Sequence, residues 1–139
     1  MITRFIQAQR KTFGQALKEI HNGKKQSHWI WYIFPQLREL GISETSKYYG
    51  IANIQEAQEY YKNDYLKNNL LTICNELLNI KNKTITEIFG MDDIKVHSCI
   101  TLFLQVDKDN KVFKDIIDKY YNGILDINTI NILEEQKQS

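Results

Sequence analysis

Apolar side chains recur at helical spacing from the first residues of the chain. Ile2, Phe5, Ile6, Phe13, Leu17 and Ile20 fall on one stripe at a 3.6-residue period. The stripe predicts a first helix from about Thr3 to Asn22, ended by Gly23 as a left-handed cap. Gln9 lies inside the same stripe. A buried amide left unsatisfied costs on the order of 1–3 kcal/mol, so Gln9 needs a neighbouring carbonyl or a polar cavity. A short, almost wholly apolar helix is expected next. Ser27 is read as its N-cap, His28 to Phe34 as its body and Pro35 as its stop. With His28 as its polar position, this segment should be buried or line a cavity.

The pattern continues as short helices. One begins at Ser43 and carries Tyr48 and Tyr49; another opens at Asn53, where Glu56 three residues on resembles a capping box. Leu66 to Ile80 is amphipathic, with Leu70, Ile73, Leu77 and Ile80 inward. Thr84 caps a brief turn ending at Phe89-Gly90. The stretch from Asp92 to Val106 is apolar apart from Lys95, His97, Ser98 and Thr101. Val112 to Tyr121 and Ile127 to Leu133 follow, separated by Gly123. A strand over Ile100 to Val106 is second choice, because no hairpin chemistry adjoins it. With Pro35 the single proline and no internal repeat, the expectation is an all-α fold. It is a compact single domain over residues 1–133, of about seven to nine helices, several of them short. Residues 134–139 read as a frayed tail.

Composition narrows the function classes. The chain has 139 residues, 42% hydrophobic and 25% charged, enough to bury one core. Eighteen basic and 17 acidic side chains leave a formal charge of +1. That balance offers no strong field for nucleic acid or an anionic membrane, so nucleic-acid binding is disfavoured. No apolar run reaches membrane-spanning length and no signal-peptide core opens the chain. Two cysteines, Cys74 and Cys99, form no disulfide framework and read as packing residues in a reducing, cytoplasmic setting. The three histidines and two cysteines lack zinc-ligand spacing, and there is no Gly-rich phosphate loop, so neither metal nor cofactor is expected.

Two segments carry candidate chemistry. In the first, His28, Trp29 and Trp31 follow Lys25 closely, and aromatic planes beside a cation suit a nucleobase or nucleotide-like ligand. Against this, tryptophans at helical spacing ordinarily fill a core, and a lone histidine is often a satisfied structural group. The second is Asp92, Lys95, Ser98 and Thr101. An Asp–Lys pair three residues apart is often a solvated surface pair. On so apolar a helix it is instead expected near the interior, where desolvation demands further partners such as a polar ligand.

These motifs resemble a known family. Arg4-Phe5, Ala8-Gln9, then Gly23-x-Lys25-x-Ser27-His28-Trp29-x-Trp31-x-x-Phe34-Pro35-Gln36 are similar to the family catalogued as domain of unknown function 1810. Further matches are Leu40-Gly41-x-Ser43, Tyr49-x-Ile51, Glu56-Ala57 with Tyr60, Phe89-Gly90, and Asp92-x-x-Lys95-x-x-Ser98-x-x-Thr101-Leu102-Phe103. The resemblance spans nearly the whole chain and implies a mainly helical fold. It also implies that Gln9, Lys25, Ser27, His28, Trp29, Trp31, Gln36, Asp92, Lys95, Ser98 and Thr101 are motif positions, and that His97 is not.

The leading expectation is that the two motif segments enclose an aromatic-walled, polar-floored pocket for a nucleotide-derived small molecule. Lys25 and Lys95 hold anionic groups there, and Trp29 or Trp31 stacks a ring. Gln9, Ser27, Gln36, Ser98 and Thr101 complete the binding set. His28, with Asp92 nearby, serves as general base if a glycosidic or phosphate bond is hydrolysed. One alternative is a non-catalytic sensor or sponge for a nucleotide signal. Another is a protein-interaction module with the aromatic segment as an exposed anchor.

Overall fold

The computed structural model describes residues 1–138, so Ser139, the last residue of the expected tail, lies outside them. Among the described residues the chain is all-α, one compact domain of nine α-helices and two 3-10 turns with no strand. The helices are α1 (Thr3–His21), α2 (Ile30–Ile33), α3 (Glu44–Tyr49), α4 (Ile54–Lys62), α5 (Asp64–Leu78), α6 (Ile85–Phe89), α7 (Asp93–Val106), α8 (Lys111–Tyr121) and α9 (Ile127–Lys137). The 3-10 turns are Arg38–Leu40 and Gly90–Asp92. No helix among them is long and apolar enough to cross a membrane.

Helix α7 is the axis. It packs against α8, α4, α9, α6 and α2, while α5 packs on α1, α8 and α4. Of the four positions expected inward, Leu70, Ile73 and Leu77 are buried, while Ile80 lies past the end of α5 and is half-buried; Cys74 and Cys99 are buried. The stretch from Ile100 to Val106 is helical, which removes the strand alternative.

Local chemistry explains most boundaries. Gly23, at φ +82°, turns the chain away after α1 in a conformation few residues other than glycine adopt. Thr84 and Glu87 form the reciprocal capping box that opens α6. Asn63 separates α4 from α5 and caps the latter by accepting from Leu66 N at 3.0 Å. Asn53 accepts from Glu56 N at 2.9 Å, but the Glu56 carboxylate turns to Ala52 N and Arg4 and so makes no reciprocal box. Helix α9 runs past Leu133 to Lys137, because Gln136 Nε2 donates to Ala52 O at 2.9 Å and ties its last turn down.

The expected helix from His28 to Phe34 shrinks to Ile30–Ile33, and Ser27 is not its cap. The cause is Glu19, buried on α1 with 3% exposure. Its Oε1 accepts from Gln26 N (2.7 Å), Ser27 N (2.8 Å) and the Trp29 indole Nε1 (3.0 Å). Its Oε2 accepts from Ser27 Oγ (2.7 Å) and Gln15 Nε2 (2.8 Å). Ser27 is thereby drawn to α1, and the segment after Gly23 becomes an ordered loop. Burial by itself pushes the Glu19 carboxyl up. The hydrogen bonds from Ser27, Gln15 and the two backbone N–H groups outweigh it and hold the pKa at about 2.

A second knot sits at the other end of α1. The Arg4 guanidinium donates to both oxygens of Glu56 at 3.1 Å, to Gly50 O at 2.9 Å and to Tyr48 O at 2.7 Å. Helix α1 is thus fixed at one end to the α3–α4 connection and at the other to the loop before α2.

Replacing Glu19 by Gln puts an amide N–H₂ among donors and removes the charge they solvate. Glu19→Gln is expected to lower unfolding free energy by about 3 kcal/mol in urea titrations at pH 7. The wild-type contribution is full above the unfolded-state value near 4.5 and is lost as pH falls through about 2, so the gap between the proteins closes over that window. A loss within about 0.5 kcal/mol, the range of ordinary surface changes, contradicts the assignment.

Candidate functional site

The Glu19-held loop delivers Lys25 to the start of α7. Lys25 N donates to Ile88 O at 2.8 Å, which fixes the loop against α6. The Lys25 side chain is only 9% exposed, and its Nζ lies 2.9 Å from Asp92 Oδ2 and 5.2 Å from the centre of the Trp29 ring. Asp92, on the 3-10 turn that leads into α7, meets a second cation. Lys95 Nζ is 3.0 Å from its other oxygen, Oδ1. Burial favours the neutral acid, but hydrogen bonds and charge from Lys25 and Lys95 win and hold the Asp92 carboxyl below its usual value. One carboxylate therefore sits between two ammonium groups, and one positive charge is left uncompensated.

This triad forms one wall of a cavity of about 180 Å³, with Trp29, Trp31 and Tyr32 among its other lining residues and His28 and Thr45 at exposed positions. The His28 ring makes no hydrogen bond among the described residues; its backbone carbonyl accepts from Tyr32 Oη at 3.1 Å. The tryptophans are fixed in place. Trp29 is 2% exposed and held through its indole N–H by Glu19, and Trp31 is 8% exposed. A Cβ at Gly41 would lie 2.7 Å from Trp31 Cη2 and 2.4 Å from Ser46 Cβ, so glycine is what lets the start of α3 close over the indole.

The expected site residues divide into two groups. Lys25, His28, Trp29, Trp31, Asp92 and Lys95 are brought to one cavity. The others are placed elsewhere. Gln9 is buried beneath it, donating to Tyr32 O (2.7 Å) and Tyr60 Oη (2.8 Å) and accepting from Asn69 (3.0 Å). Ser27 is engaged by Glu19. Gln36 is 2% exposed; its carbonyl accepts from Ile51 N at 2.9 Å, and its Nε2 has no partner among the described residues. Ser98 and Thr101 hold the approach to α9: Ser98 Oγ donates to Asp126 Oδ2 (2.7 Å), and Thr101 Oγ1 accepts from Asp126 N (3.0 Å).

Sequence reasoning missed Glu19, Tyr32 and Thr45. Glu19 had a signal: it stands three residues after Ala16 and beside Ile20, both of which are fully buried. A carboxylate there must be either a surface neighbour of the stripe or a buried acceptor with donors coming to it.

The burial of both indoles leaves no exposed aromatic anchor in this segment. Tryptophan emission of the native protein is therefore expected to be blue and resistant to iodide quenching. Red, readily quenched emission contradicts the placement.

Comparison with other proteins agrees with this geometry at the level of the fold. The chain superposes on the crystal structure of the conserved hypothetical protein Rv1873 from Mycobacterium tuberculosis with a TM-score of 0.93 at 36% identity, covering 96% of each chain. No curated protein matches. The family model described as "Protein of unknown function (DUF1810)" matches residues 1–133. The chain therefore belongs to the DUF1810 family, as the tryptophan-rich segment and the Asp92–Lys95 helix had implied.

Proposed function

We propose that this chain binds a small anionic, ring-bearing molecule of the nucleotide class in the cavity between Lys25, Trp31 and Lys95. The observation that carries the reading is the Lys25–Asp92–Lys95 triad. Two ammonium groups on one carboxylate leave a net positive charge facing a partly enclosed space. In such a setting a phosphate or carboxylate interacts more strongly than it does in bulk water. Aromatic walls beside that charge add a surface for a planar ring. Asp92 acts here as the anchor that places both lysines. Its lowered pKa and double engagement fit that role better than general-base catalysis.

A second reading, hydrolysis of a glycosidic or phosphate bond in the bound molecule, is favoured by one feature. His28 is at the cavity, and its ring is free of protein hydrogen bonds among the described residues, so its nitrogens are available to a bound molecule.

A thermal-shift screen against nucleoside mono-, di- and triphosphates and their cyclic forms is expected to show stabilisation by at least one of them. Lys95→Ala, at a partly exposed position, should weaken binding of that compound by about tenfold or more with little change in the unliganded melting temperature, and Lys95→Arg should restore most of it. Mass spectrometry after incubation separates the two readings: an unchanged compound means binding, a cleaved one means turnover that His28→Ala abolishes. Absence of a shift with every compound contradicts the proposal.

A further inference from the structure

Tyr32 lines two cavities. One is the triad cavity. The other, of about 260 Å³, lies between α1 and α3 and is lined by Arg4, Lys11, Thr12, Tyr48 and Tyr49 as well as Tyr32. Its chemistry parallels the first, with aromatic rings beside a free cation. The Tyr32 and Tyr49 ring centres are 4.9 Å apart, and Tyr48 stands nearly perpendicular to Tyr49 at 4.8 Å with 59% of its surface exposed. Arg4 is engaged by Glu56 and by the backbone carbonyls of Met1, Tyr48 and Gly50. That leaves Lys11, exposed and without an ion-pair partner among the described residues, as the cation able to meet a ligand. The wall is built in, because Arg4 Nε holds the carbonyl of Tyr48 at 2.7 Å. Burial pushes the Tyr32 and Tyr49 hydroxyls up, so both stay protonated, the Tyr32 hydroxyl donating to His28 O.

We infer that the ligand spans both cavities as a dinucleotide, with its phosphate bridge beside Tyr32, one ring toward Trp31 and the other against Tyr48 and Tyr49. The inference rests on the nucleotide reading and sharpens it. Size is one argument. Cavities that enclose an organic ligand usually measure roughly 300–1,000 Å³; at about 180 and 260 Å³ neither compartment reaches that range alone, and Tyr32 lines both. Charge is the other. The Lys25–Asp92–Lys95 triad, with two cations on one carboxylate, stands on one side of Tyr32 and the Lys11 ammonium on the other, which complements the two negative charges of a pyrophosphate bridge better than a single monophosphate.

The test is calorimetric titration of the purified full-length protein with AMP, UMP, diadenosine diphosphate and diuridine diphosphate. At least one dinucleotide is expected to bind about tenfold or more tightly than its own mononucleotide, since its second half binds at high effective concentration. Tyr48→Ala and Lys11→Ala, both at exposed positions, should each remove most of that advantage while leaving mononucleotide affinity within about twofold. Equal affinity for a dinucleotide and its half, or an advantage untouched by both substitutions, overturns the two-cavity inference and leaves the single-cavity reading standing. Failure of all four compounds to bind overturns the two-cavity inference, and the nucleotide reading falls with it when the thermal-shift screen also shows no stabilisation by any compound.

Discussion

The carboxylate of Glu19 organises the part of the molecule on which the site depends. A loop without regular secondary structure brings backbone N–H groups toward the interior, and buried N–H groups need acceptors. Glu19 supplies them for Gln26 and Ser27, and also for the Ser27 hydroxyl and the Trp29 indole. Burying a lone carboxylate costs several kcal/mol. Five charge-assisted hydrogen bonds, the fifth from Gln15, offset that cost and turn the charge into a structural centre. Once the loop is held, Lys25 reaches Asp92, and the end of α1, the start of α2 and the start of α7 become one rigid piece.

Helix α1 serves the site along its whole length. Arg4 ties its first turn to Glu56 and the end of α3, Gln9 holds the carbonyl of Tyr32 from below, and Glu19 fixes the loop that carries Lys25 and Trp29. These contacts are buried or half-buried and lie behind the cavity walls rather than inside them. Their effect is to hold Tyr32, Trp29 and Lys25 in place, the preorganisation that the proposed binding calls for.

Most helices were legible in the sequence because their signals are local. The Thr84–Glu87 box, the Gly23 terminator and the period of α5 act within a few residues. Charges whose partners lie beyond the end of their own helix were less legible. A glutamate in the last turn of α1 reads as solvated until the loop beyond Gly23 folds back onto it. Ser27, a serine before an apolar run, reads as an N-cap, but Glu19 holds both its backbone N–H and its hydroxyl, and the helix begins only at Ile30. Ser98 and Thr101 lie away from the Lys25–Asp92–Lys95 cavity for a geometric reason. A helix turns about 100° per residue, so nine residues carry Thr101 to roughly the opposite side from Asp92. Lys95 remains near enough to pair with Asp92, while Ser98 and Thr101 face Asp126. The aromatic segment was read correctly as buried or cavity-lining, since its apolar run left few alternatives.

The most direct measurement is an NMR titration of the Glu19 side-chain carboxyl carbon, followed together with the N–H signals of Gln26, Ser27 and the Trp29 indole. The account predicts that the carboxyl titrates near pH 2, well below the ordinary 4.5, and that the three N–H signals move with the same midpoint. A carboxyl that titrates near 4.5, or three N–H signals indifferent to its ionisation, would contradict the claim that this buried charge organises the site.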